Sequence, residues 1–271
     1  EVRAWARREQ TVDLLKAKGC VDTASEDLHE VVAGADLIVL ATPVGAMAAL
    51  AEQIVAAPEF CDEAVITDVG SVKQCVVDSL EPIFDGEGRG RFVGSHPMAG
   101  SEQAGVEAAR EDLFRGAMCL LTPTSGTDAA ALSAVDTLWA SLGMSTHHLP
   151  PGDHDRAVAR ISHLPHLCAA ALVMAVVDDG ASLADLAGPG FRDSTRIASG
   201  PPQMWTEILG ENRTAVADEL RNLQYQLGET LAFLDKVDDE KLRCFLAEAK
   251  RRRDLFGVTP SNTENASGEA E

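Results

Sequence analysis

The segment 93–102 places one histidine, His96, directly before Pro97, and it ends in a hydroxyl and a carboxylate, Ser101 and Glu102. A residue that precedes proline is kept out of helical geometry, so His96 must lie on extended or turn backbone. The apolar residues before it predict a short strand with the imidazole at its end. An imidazole held in this way is suited to proton transfer, although a structural role in a strand-to-loop turn fits this segment alone equally well.

Two further histidines, His163 and His166, are three positions apart and therefore share one face of a predicted helix. Pro165 lies between them and has no N–H for the carbonyl of Ile161, so the helix is expected to kink or restart there. A kink would free polar backbone groups where two imidazoles converge, which favours a binding site. A capping or core role is equally compatible with the pattern.

A third group follows a loop rich in glycine and proline, and it consists of Arg192, Asp193 and Arg196, with Trp205 further on. Arginine is the usual partner of a carboxylate because its planar guanidinium forms two parallel hydrogen bonds. This group therefore predicts a site for an anionic small molecule. No metal is expected, because the histidines of the C-terminal half lack a recognised ligand spacing. These histidines are His147, His148, His154, His163 and His166.

The chain has 271 residues and a formal net charge of −20 at pH 7. A strongly acidic protein is repelled by nucleic acid and by anionic membranes, so neither is expected as a partner. An anionic substrate must then be held by locally placed arginines or by helix N-termini. The longest apolar run, 167–177, is too short to span a bilayer and predicts a buried helix.

The six cysteines are scattered along the chain and form no C-x-x-C pair. They predict small buried hydrophobic side chains in a reducing compartment rather than disulfides. No signal peptide is visible, so the protein is expected to be cytoplasmic. The chain begins at Glu1, without an initiator methionine and at the start of a predicted strand, and we expect it to be a fragment.

The elements that position these groups fall into two parts. Up to about residue 150, apolar runs typical of buried strands alternate with helical patterns, which predicts a doubly wound α/β domain (1–150) with a parallel sheet. The predicted strands are 2–5, 35–41, 64–68, 91–93, 117–122 and 144–149. From residue 153 the pattern is helical, so 151–257 predicts an all-helical domain and 258–271 a disordered tail.

One helix of the second part carries a stripe of leucines at helical spacing. Its members are Leu220, Leu223, Leu227 and Leu231, with Leu234 beside them. Such a stripe serves a core or a dimer interface, and the core is the commoner use.

In an open α/β sheet, ligands bind beyond the carboxyl ends of the strands. Three such ends carry candidate residues, and they would lie along one edge of the sheet. They are Ala41, Thr42 and Pro43 at the first end, Asp68, Val69 and Ser71 at the second, and His96 at the third. This shared position favours a ligand site over an accidental grouping.

The residues after the strand 2–5 bear on a dinucleotide cofactor, which the ends 41–43 and 68–69 would also contact. An acid there would bond the ribose hydroxyl of NAD, whereas Ala6 is followed by Arg7 and Arg8, which favours the phosphate of NADP. The glycine-rich turn G-x-G-x-x-G is missing. If 2–5 is the second strand of the fold, the first strand and that loop lie outside this chain.

Several motifs together resemble those of the prephenate/arogenate dehydrogenase family of tyrosine biosynthesis. The matching segments are 40–44 (LATPV), 68–73 (DVGSVK), 94–102 (GSHPMAGSE), 154–155 (HD), 162–166 (SHLPH), 191–198 (FRDSTRIA) and 204–205 (MW). They follow the order of the family's motifs, and the resemblance covers about residues 1–250.

The resemblance implies roles for individual residues. It implies His96 as the catalytic base, Ser71 as the hydroxyl that hydrogen-bonds it, and Arg196 as the group that binds a substrate carboxylate. The other residues that it implies around the substrate are Ser101, Glu102, His163, His166, Asp193 and Trp205.

The resemblance also implies a Rossmann domain, a helical dimerisation domain and thus a homodimer. The implied activity is oxidative decarboxylation of prephenate to 4-hydroxyphenylpyruvate, or of arogenate to tyrosine, with hydride transfer to NAD(P)+. Two alternatives remain open. A dehydrogenase acting on β-hydroxy acids would be expected to carry a lysine base on a helix in place of these histidine motifs. A dimeric fragment without the cofactor loop would be catalytically incomplete.

Overall fold

A computed structural model describes residues 1–84, 91–100, 105–177 and 186–255. The chain divides into two compact units, Glu1–Ala217 and Asp218–Glu271. The first unit contains all the described strands and the described candidate residues that bear on chemistry.

Seven strands lie within the described residues and form two pieces of sheet. They are β1 (Arg3–Trp5), β2 (Thr23–Ser25), β3 (Leu37–Leu40), β4 (Val65–Asp68), β5 (Arg91–Pro97), β6 (Met118–Thr122) and β7 (Ser145–His148). β1 pairs with β2 in parallel, while β3 to β7 form a five-stranded sheet in chain order. Of its pairs only β5–β6 is antiparallel, so the predicted Rossmann-type sheet is confirmed with one reversal.

The two pieces of sheet match the strand order of a Rossmann fold. Because that order is 3-2-1-4-5-6, β2 and β1 correspond to its third and second strands, and β3 to β5 to its fourth, fifth and sixth. A groove of about 700 Å³ is lined by residues of both β1 and β3. It lies where the first strand of that fold would pair.

Helices cover both faces of the five-stranded sheet. The helices of this part are α1 (Glu9–Lys18), α2 (Leu28–Val32), α3 (Val44–Val55), α4 (Gln74–Phe84) and α5 (Ala129–Ser141). Successive residues of a strand point to opposite faces. On β4, Ile66 belongs to the core cluster that contains α3 and α4, while Val65 belongs to the cluster that contains α5. All four residues of β4 are buried, as expected for a strand covered on both faces.

The described residues after His148 contain helices and no strand, which confirms the predicted change of class. These helices are α6 (Pro151–Val158), α7 (Leu164–Val176), α8 (Pro189–Thr195), α9 (Pro202–Glu211), α10 (Arg213–Asp235) and α11 (Asp239–Leu255). The helices up to Ala217 share one compact unit with the sheet, so a domain boundary at residue 150 stays a prediction.

The helix restarts close to Pro165, as predicted. A π-helical segment, Ala159–His163, follows α6, and α7 begins at Leu164. Pro165 thus occupies the first turn of α7, where its missing N–H is not needed for an intrahelical bond. The wider π turn sets the direction of His163 relative to the residues of α6.

The prediction that the run 167–177 is a short buried helix is wrong. It belongs to a continuous helical stretch, Pro151–Val176, that is long and apolar enough to cross a membrane by length and composition, with 28% of its apolar window buried. A single helix of this kind is weak support for a membrane span, because helices of soluble proteins pass the same test. The run looked shorter in the sequence because α6 and the π turn before it carry charged residues and histidines.

The prediction that the cysteines are buried holds for Cys119 but is wrong for Cys20 and Cys244, which are exposed. Cys20 follows the last turn of α1 and Cys244 lies on α11, and neither position belongs to a core cluster. Burial raises the pKa of the Cys119 thiol to about 12, so it is an unreactive packing residue.

The second unit consists, among its described residues, of most of α10 and of α11. The leucine stripe lies on α10. Leu220, Leu227 and Leu231 are 44%, 61% and 58% exposed. The stripe therefore does not serve a core within the single chain, and its apolar surface is accessible to another protein surface.

Candidate active site

A cavity of about 450 Å³ lies beyond the carboxyl ends of the central strands. Ala41 follows β3, Val69 and Ser71 follow β4, and His96 lies near the end of β5, and all four line the cavity. Trp139 of α5 closes part of the opposite wall. The structure thus brings together the three strand ends that the sequence placed on one edge of the sheet.

His96 belongs to β5 itself and pairs in register with Leu120 of the antiparallel β6. Pairing with β6 fixes the backbone at His96, while β4 pairs with the earlier residues 91–93 of β5, and His96 is 9% exposed. Its Nδ1 atom lies 2.8 Å from Nε2 of His154, the fourth residue of α6. Nδ1 of His154 lies 2.8 Å from Oδ1 of Asp155. Three side chains therefore form one hydrogen-bonded row that begins at the cavity.

Asp155 is held by the N-terminus of α4. Its Oδ1 accepts a hydrogen bond from the backbone N–H of Lys73 at 2.7 Å, and its Oδ2 accepts one from that of Gln74 at 3.0 Å. A helix N-terminus favours a carboxylate because its first N–H groups have no intrahelical acceptor. Asp155 thereby joins α6 to the sheet side of the molecule.

Sequence reasoning missed this role of His154 and Asp155. The two residues were recognised only as a matching HD motif, and no chemistry was assigned to them. The signal available was a histidine next to a carboxylate at a helix start. The partner of that pair, His96, is more than fifty positions away, so no local pattern reveals the contact.

Ser71 was expected to supply the hydroxyl that hydrogen-bonds His96. Ser71 does line the same cavity, but among the described residues it forms no hydrogen bond with His96, and the Nδ1 partner is His154 instead. The physical reason is that the π turn and α6 bring a second imidazole against the ring of His96, with the ring centroids 5.1 Å apart. Contact of Ser71 with a substrate stays a prediction.

Asp68 was expected to contact the cofactor, but its carboxylate is used within the protein. It forms an ion pair with Lys73, and both side chains are fully buried. Asp68 also accepts hydrogen bonds from the backbone N–H of Gly70 at 2.7 Å and of Ser95 at 3.1 Å. Nζ of Lys73 donates to the carbonyl of Ser95 at 2.8 Å. The pair therefore ties the ends of β4 and β5 together next to His96.

The second histidine group lies on α7 and the π turn. His166 stacks on Trp205 of α9, with ring centroids 3.5 Å apart and planes 9° apart, and His163 meets the same indole edge-on at 6.2 Å. Gly200 permits this approach, because a Cβ atom there would lie 2.4 Å from Nε1 of Trp205. The two imidazoles therefore converge as predicted, and both contact the ring of Trp205.

Asn212 links this group to the row behind His96. Its Nδ2 atom donates to the carbonyl of Asp155 at 2.7 Å and lies 3.3 Å from Nδ1 of His163. Asn212 is buried, so both contacts are shielded from water. The amide was absent from the residues predicted from sequence, because an asparagine at the end of α9 looks like an ordinary helix end.

Four predicted substrate residues are not part of this cluster as described. Asp193 lies on α8 and Arg196 begins the 3₁₀ segment that follows it, and both are exposed. Ser101 and Glu102 lie outside the described residues. Their contact with a substrate stays a prediction.

Burial keeps the histidines of the site neutral. It lowers the pKa of His96 well below its usual value, and the neighbouring His154, Lys73 and His163 lower it further. Burial also lowers the pKa of His154, although the hydrogen bond to Asp155 opposes this, and it lowers the pKa of His163 to about 4. For Asp155, burial alone would raise the pKa, but the hydrogen bonds from His154 and from the α4 backbone outweigh it and the pKa is lowered.

At the carboxyl end of β3, Ala41 and Thr42 are residues that would suit a nicotinamide dinucleotide. Thr42 lines the groove between β1 and β3, and its Oγ1 atom is buried without a hydrogen-bond partner among the described residues, which is a rare condition for a buried hydroxyl. Ala41 lines both the groove and the cavity that contains His96. A ligand at this end of β3 would therefore lie next to the cavity that contains His96.

The other predicted cofactor residues of this region follow the ends of β1 and β3. Ala6 follows β1 and donates its backbone N–H to Ser25 at 3.2 Å, and Arg7 and Arg8 are exposed at the start of α1. Pro43 precedes the first residue of α3. No group of three or more metal-binding side chains is found in the part of the chain that the structure describes.

Comparison with known proteins decides the family. Residues 5–147 match the model of the prephenate dehydrogenase nucleotide-binding domain, and residues 150–248 match that of the prephenate dehydrogenase dimerization domain. The chain belongs to the prephenate dehydrogenase family. The resemblance drawn from the motifs around His96 and His163 is thereby confirmed.

Curated members of the family are similar over most of the chain. The prephenate dehydrogenase of Bacillus subtilis is 36% identical over 91% of this chain, and that of Lactococcus lactis is 33% identical over 93%. A cyclohexadienyl dehydrogenase of Zymomonas mobilis is 29% identical over 93%. The chain spans 66%, 69% and 86% of the lengths of these three relatives.

Solved structures of the family have the same fold. The prephenate dehydrogenase of Aquifex aeolicus, in complex with hydroxyphenyl propionate and NAD+, superposes with a TM-score of 0.85 at 30% identity. That comparison covers 94% of this chain and 88% of the Aquifex chain. The arogenate dehydrogenase of Synechocystis gives a TM-score of 0.78 at 30% identity, covering 94% of this chain and 90% of that one.

Proposed function

We propose that the protein is a prephenate dehydrogenase, which converts prephenate to 4-hydroxyphenylpyruvate and carbon dioxide with hydride transfer to a nicotinamide dinucleotide. The observation that carries the proposal is the placement of His96. Its imidazole lines a cavity at the carboxyl ends of the strands, and its Nδ1 atom is held by His154. The other ring nitrogen, Nε2, is thus the one left to act on a substrate.

In this proposal His96 takes the proton of the substrate 4-hydroxyl while the hydride leaves the same ring carbon. Loss of the ring carboxylate as carbon dioxide then makes the ring aromatic. His96 returns the proton to the phenolate oxygen, so no net proton is consumed. Aromatisation makes the reaction strongly downhill, so the protein needs to contribute orientation and one base more than extensive charge stabilisation.

A bound nicotinamide dinucleotide would supply the hydride acceptor. Residues of this chain that would hold it are Ala41, Thr42, Pro43 and Val69 at the strand ends, together with the turn 6–8. The fit rests on the unpartnered Thr42 hydroxyl and on the position of Ala41 between groove and cavity.

We propose a preference for NADP over NAD. The turn after β1 carries Arg7 and Arg8 and no carboxylate, so it would attract the additional phosphate of NADP rather than repel it. The Aquifex structure contains NAD+, and that finding describes the Aquifex protein.

The substrate carboxylates would be bound by Arg196, with Asp193 near it. His163, His166 and Trp205 would form the adjacent wall, because the stacked imidazole and indole present a flat surface to a six-membered ring. Ser101 and Glu102 would lie at the pocket entrance. These assignments are supported by the family motifs and by the cluster built around Trp205.

The relatives also include an arogenate dehydrogenase and a cyclohexadienyl dehydrogenase, so arogenate is the second candidate substrate. Prephenate is favoured because the B. subtilis and L. lactis relatives carry that name. The deciding experiment measures, by absorbance, the reduction of NAD+ and of NADP+ with prephenate and then with arogenate as the substrate. Cofactor reduction with arogenate alone would make arogenate the substrate. No cofactor reduction with either compound would support the alternative of a catalytically incomplete fragment.

We further propose a cytoplasmic homodimer. The second matching family model is that of a dimerization domain, and the exposed leucines of α10 lie within its range. A second copy of the chain would cover this apolar stripe.

A further inference from the structure

We propose that His154 and Asp155 are positioning residues that fix His96 in the tautomer with hydrogen on Nδ1 and a lone pair on Nε2. The geometry points to this assignment without reference to any ligand. Its catalytic consequence rests on the proposed function, because only a base that faces a substrate hydroxyl gains from a fixed tautomer.

Asp155 determines which nitrogen of His154 carries the hydrogen. An ionised carboxylate accepts hydrogen bonds and donates none. Asp155 already accepts from the backbone N–H groups of Lys73 and Gln74, which cannot change their role. Its contact with Nδ1 of His154 at 2.8 Å therefore requires that Nδ1 carry the hydrogen.

The next step follows from the chemistry of a neutral imidazole. When one ring nitrogen is a donor, the other is an acceptor. Nε2 of His154 then carries a lone pair, so Nδ1 of His96 must donate across the 2.8 Å that separates them. Nε2 of His96 is the remaining acceptor. This assignment of hydrogens applies to neutral rings, and the lowered pKa values of both histidines favour the neutral form.

The same row also serves the protonated state of His96. When Nε2 takes a proton, the positive charge faces the dipole of His154 and, behind it, the carboxylate of Asp155. The other charged or titratable groups near His96 are the buried pair of Lys73 and Asp68, whose charges oppose each other, His163, and the Cys119 thiol, which hydrogen-bonds the His96 backbone. Among the described residues, no basic side chain neutralises Asp155. Its negative charge is therefore the nearby charge that would stabilise a protonated His96.

The anchoring of Asp155 makes the arrangement rigid. Its carboxylate binds the start of α4, and its backbone carbonyl accepts from Asn212 at 2.7 Å. His154 is fully buried, so water does not compete for either of its ring nitrogens. A row that is both buried and anchored at its far end holds one tautomer more strongly than a solvent-exposed pair does.

The test is ¹⁵N NMR of the protein labelled at histidine, with the His96 signals identified by their loss in His96→Asn. The expected spectrum shows His96 with a protonated Nδ1 and an unprotonated Nε2. Asp155→Asn should weaken this preference, because a neutral amide is a weaker acceptor for Nδ1–H of His154 than the carboxylate and its N–H group conflicts with the backbone N–H donors of Lys73 and Gln74. His154→Phe should release the preference, and His154→Gln, whose amide oxygen can accept from His96, should retain part of it.

Kinetics provide the second readout. Asp155→Asn and His154→Phe are expected to lower kcat by about 10²-fold to 10⁴-fold, the range seen when a catalytic imidazole is held in the wrong tautomer or lost as a base. The KM for substrate should stay within about twofold of the original value, and His154→Gln should recover part of the loss. A merely structural role would instead lower the melting temperature and leave kcat per folded molecule unchanged.

His148 offers a matched control, because its Nε2 lies 2.8 Å from Oδ2 of Asp136 in a second histidine–aspartate pair. His148→Phe should change neither the His96 spectrum nor kcat. A His96 ring that carries its hydrogen on Nε2 in the unmodified protein would overturn the proposal. So would an unchanged spectrum in both Asp155→Asn and His154→Phe. Absence of activity with prephenate and arogenate, together with the expected spectrum, would instead refute the proposed function and leave the positioning role standing.

Discussion

The Nδ1 atom of His96 lies 2.8 Å from Nε2 of His154, and this contact joins the sheet to the first helix of the helical part. The candidate base therefore comes from β5, while the residues that orient it come from α6. Neither part of the chain contains the whole row. The two family models meet between these residues, at 147 and 150, so the candidate site combines residues of both matched segments.

Replacing His96 with asparagine is expected to lower kcat by about 10²-fold to 10⁴-fold, the usual contribution of a general base. Cofactor binding should change little, because His96 lies beyond the groove that contains Thr42. The measurement is steady-state turnover together with a dissociation constant for the reduced cofactor from fluorescence. His148→Asn is the control, and a His96 variant with normal turnover would remove the base from the proposed mechanism.

Replacing Arg196 with alanine is expected to raise the KM for prephenate by about 10-fold to 100-fold, the value of one hydrogen-bonded charge pair. The effect on kcat should be smaller, since the carboxylate is bound in both the ground state and the transition state. Arg192→Ala is the comparison, because Nε of Arg192 already donates to the carbonyl of Ala187. An unchanged KM in Arg196→Ala would contradict the carboxylate assignment.

Replacing Arg7 and Arg8 with alanine is expected to lower kcat/KM for NADP+ by about 10-fold to 100-fold for each guanidinium that contacts the phosphate. The value for NAD+, which lacks that phosphate, should change by less than about twofold. Each variant is assayed with both cofactors, so that its kcat/KM for NAD+ is the control for its kcat/KM for NADP+. A protein that prefers NAD+ before any substitution would refute the proposed preference.

The free energy of unfolding is expected to fall as the pH drops from 6.5, the ordinary histidine value, to about 4, the pKa of His163. His163, His96 and His154 all have lowered pKa values, so the unfolded chain binds more protons in this range and acid favours unfolding. Asp155, whose pKa is also lowered, adds a loss only below its ordinary value of 3.8.

Urea unfolding at several pH values measures this dependence. His163→Gln removes one of the buried imidazoles and should make the decline between these pH values less steep. His147→Gln is the control, because His147 is exposed on β7. A free energy of unfolding that stays constant from pH 6.5 to 4 would contradict the neutral, buried state of these histidines.

Placing glutamates at Leu227 and Leu231 is expected to convert the homodimer to a monomer. Both leucines are exposed in the single chain, and two carboxylates in an apolar interface cannot be solvated. Sedimentation velocity reads the oligomeric state. Tyr225→Glu is the control, because Tyr225 is also exposed but lies about half a turn away on α10. A dimer that survives both leucine substitutions would place the interface elsewhere.

The position of the site could be predicted from the sequence because it follows from local patterns. Apolar runs predicted β3 and β4, and the proline after His96 excluded helical geometry for that residue. The carboxyl ends of parallel strands meet at one edge of the sheet, so these residues were expected to lie together. The helical class of the second part was equally visible. Each of these inferences needs only neighbouring residues and the general rules of parallel sheets.

Other features could not be predicted because they depend on distant contacts. β2 is a three-residue strand without an apolar alternation, and the reversal between β5 and β6 leaves no mark in either strand. The helix α8 begins at Pro189 within a Gly-Pro-Gly segment, a pattern that is typical of a loop. The contact between His96 and His154 is a property of the packed structure and has no local signature.

The groove between β1 and β3 has a consequence for how the polypeptide behaves in solution. Along it, two strands present backbone donors and acceptors that pair with no other described strand. Open edges of this kind can recruit extended segments from neighbouring molecules and begin ordered aggregation. An extended segment of another molecule that paired there would have to overcome the mutual repulsion of chains with a net charge of −20.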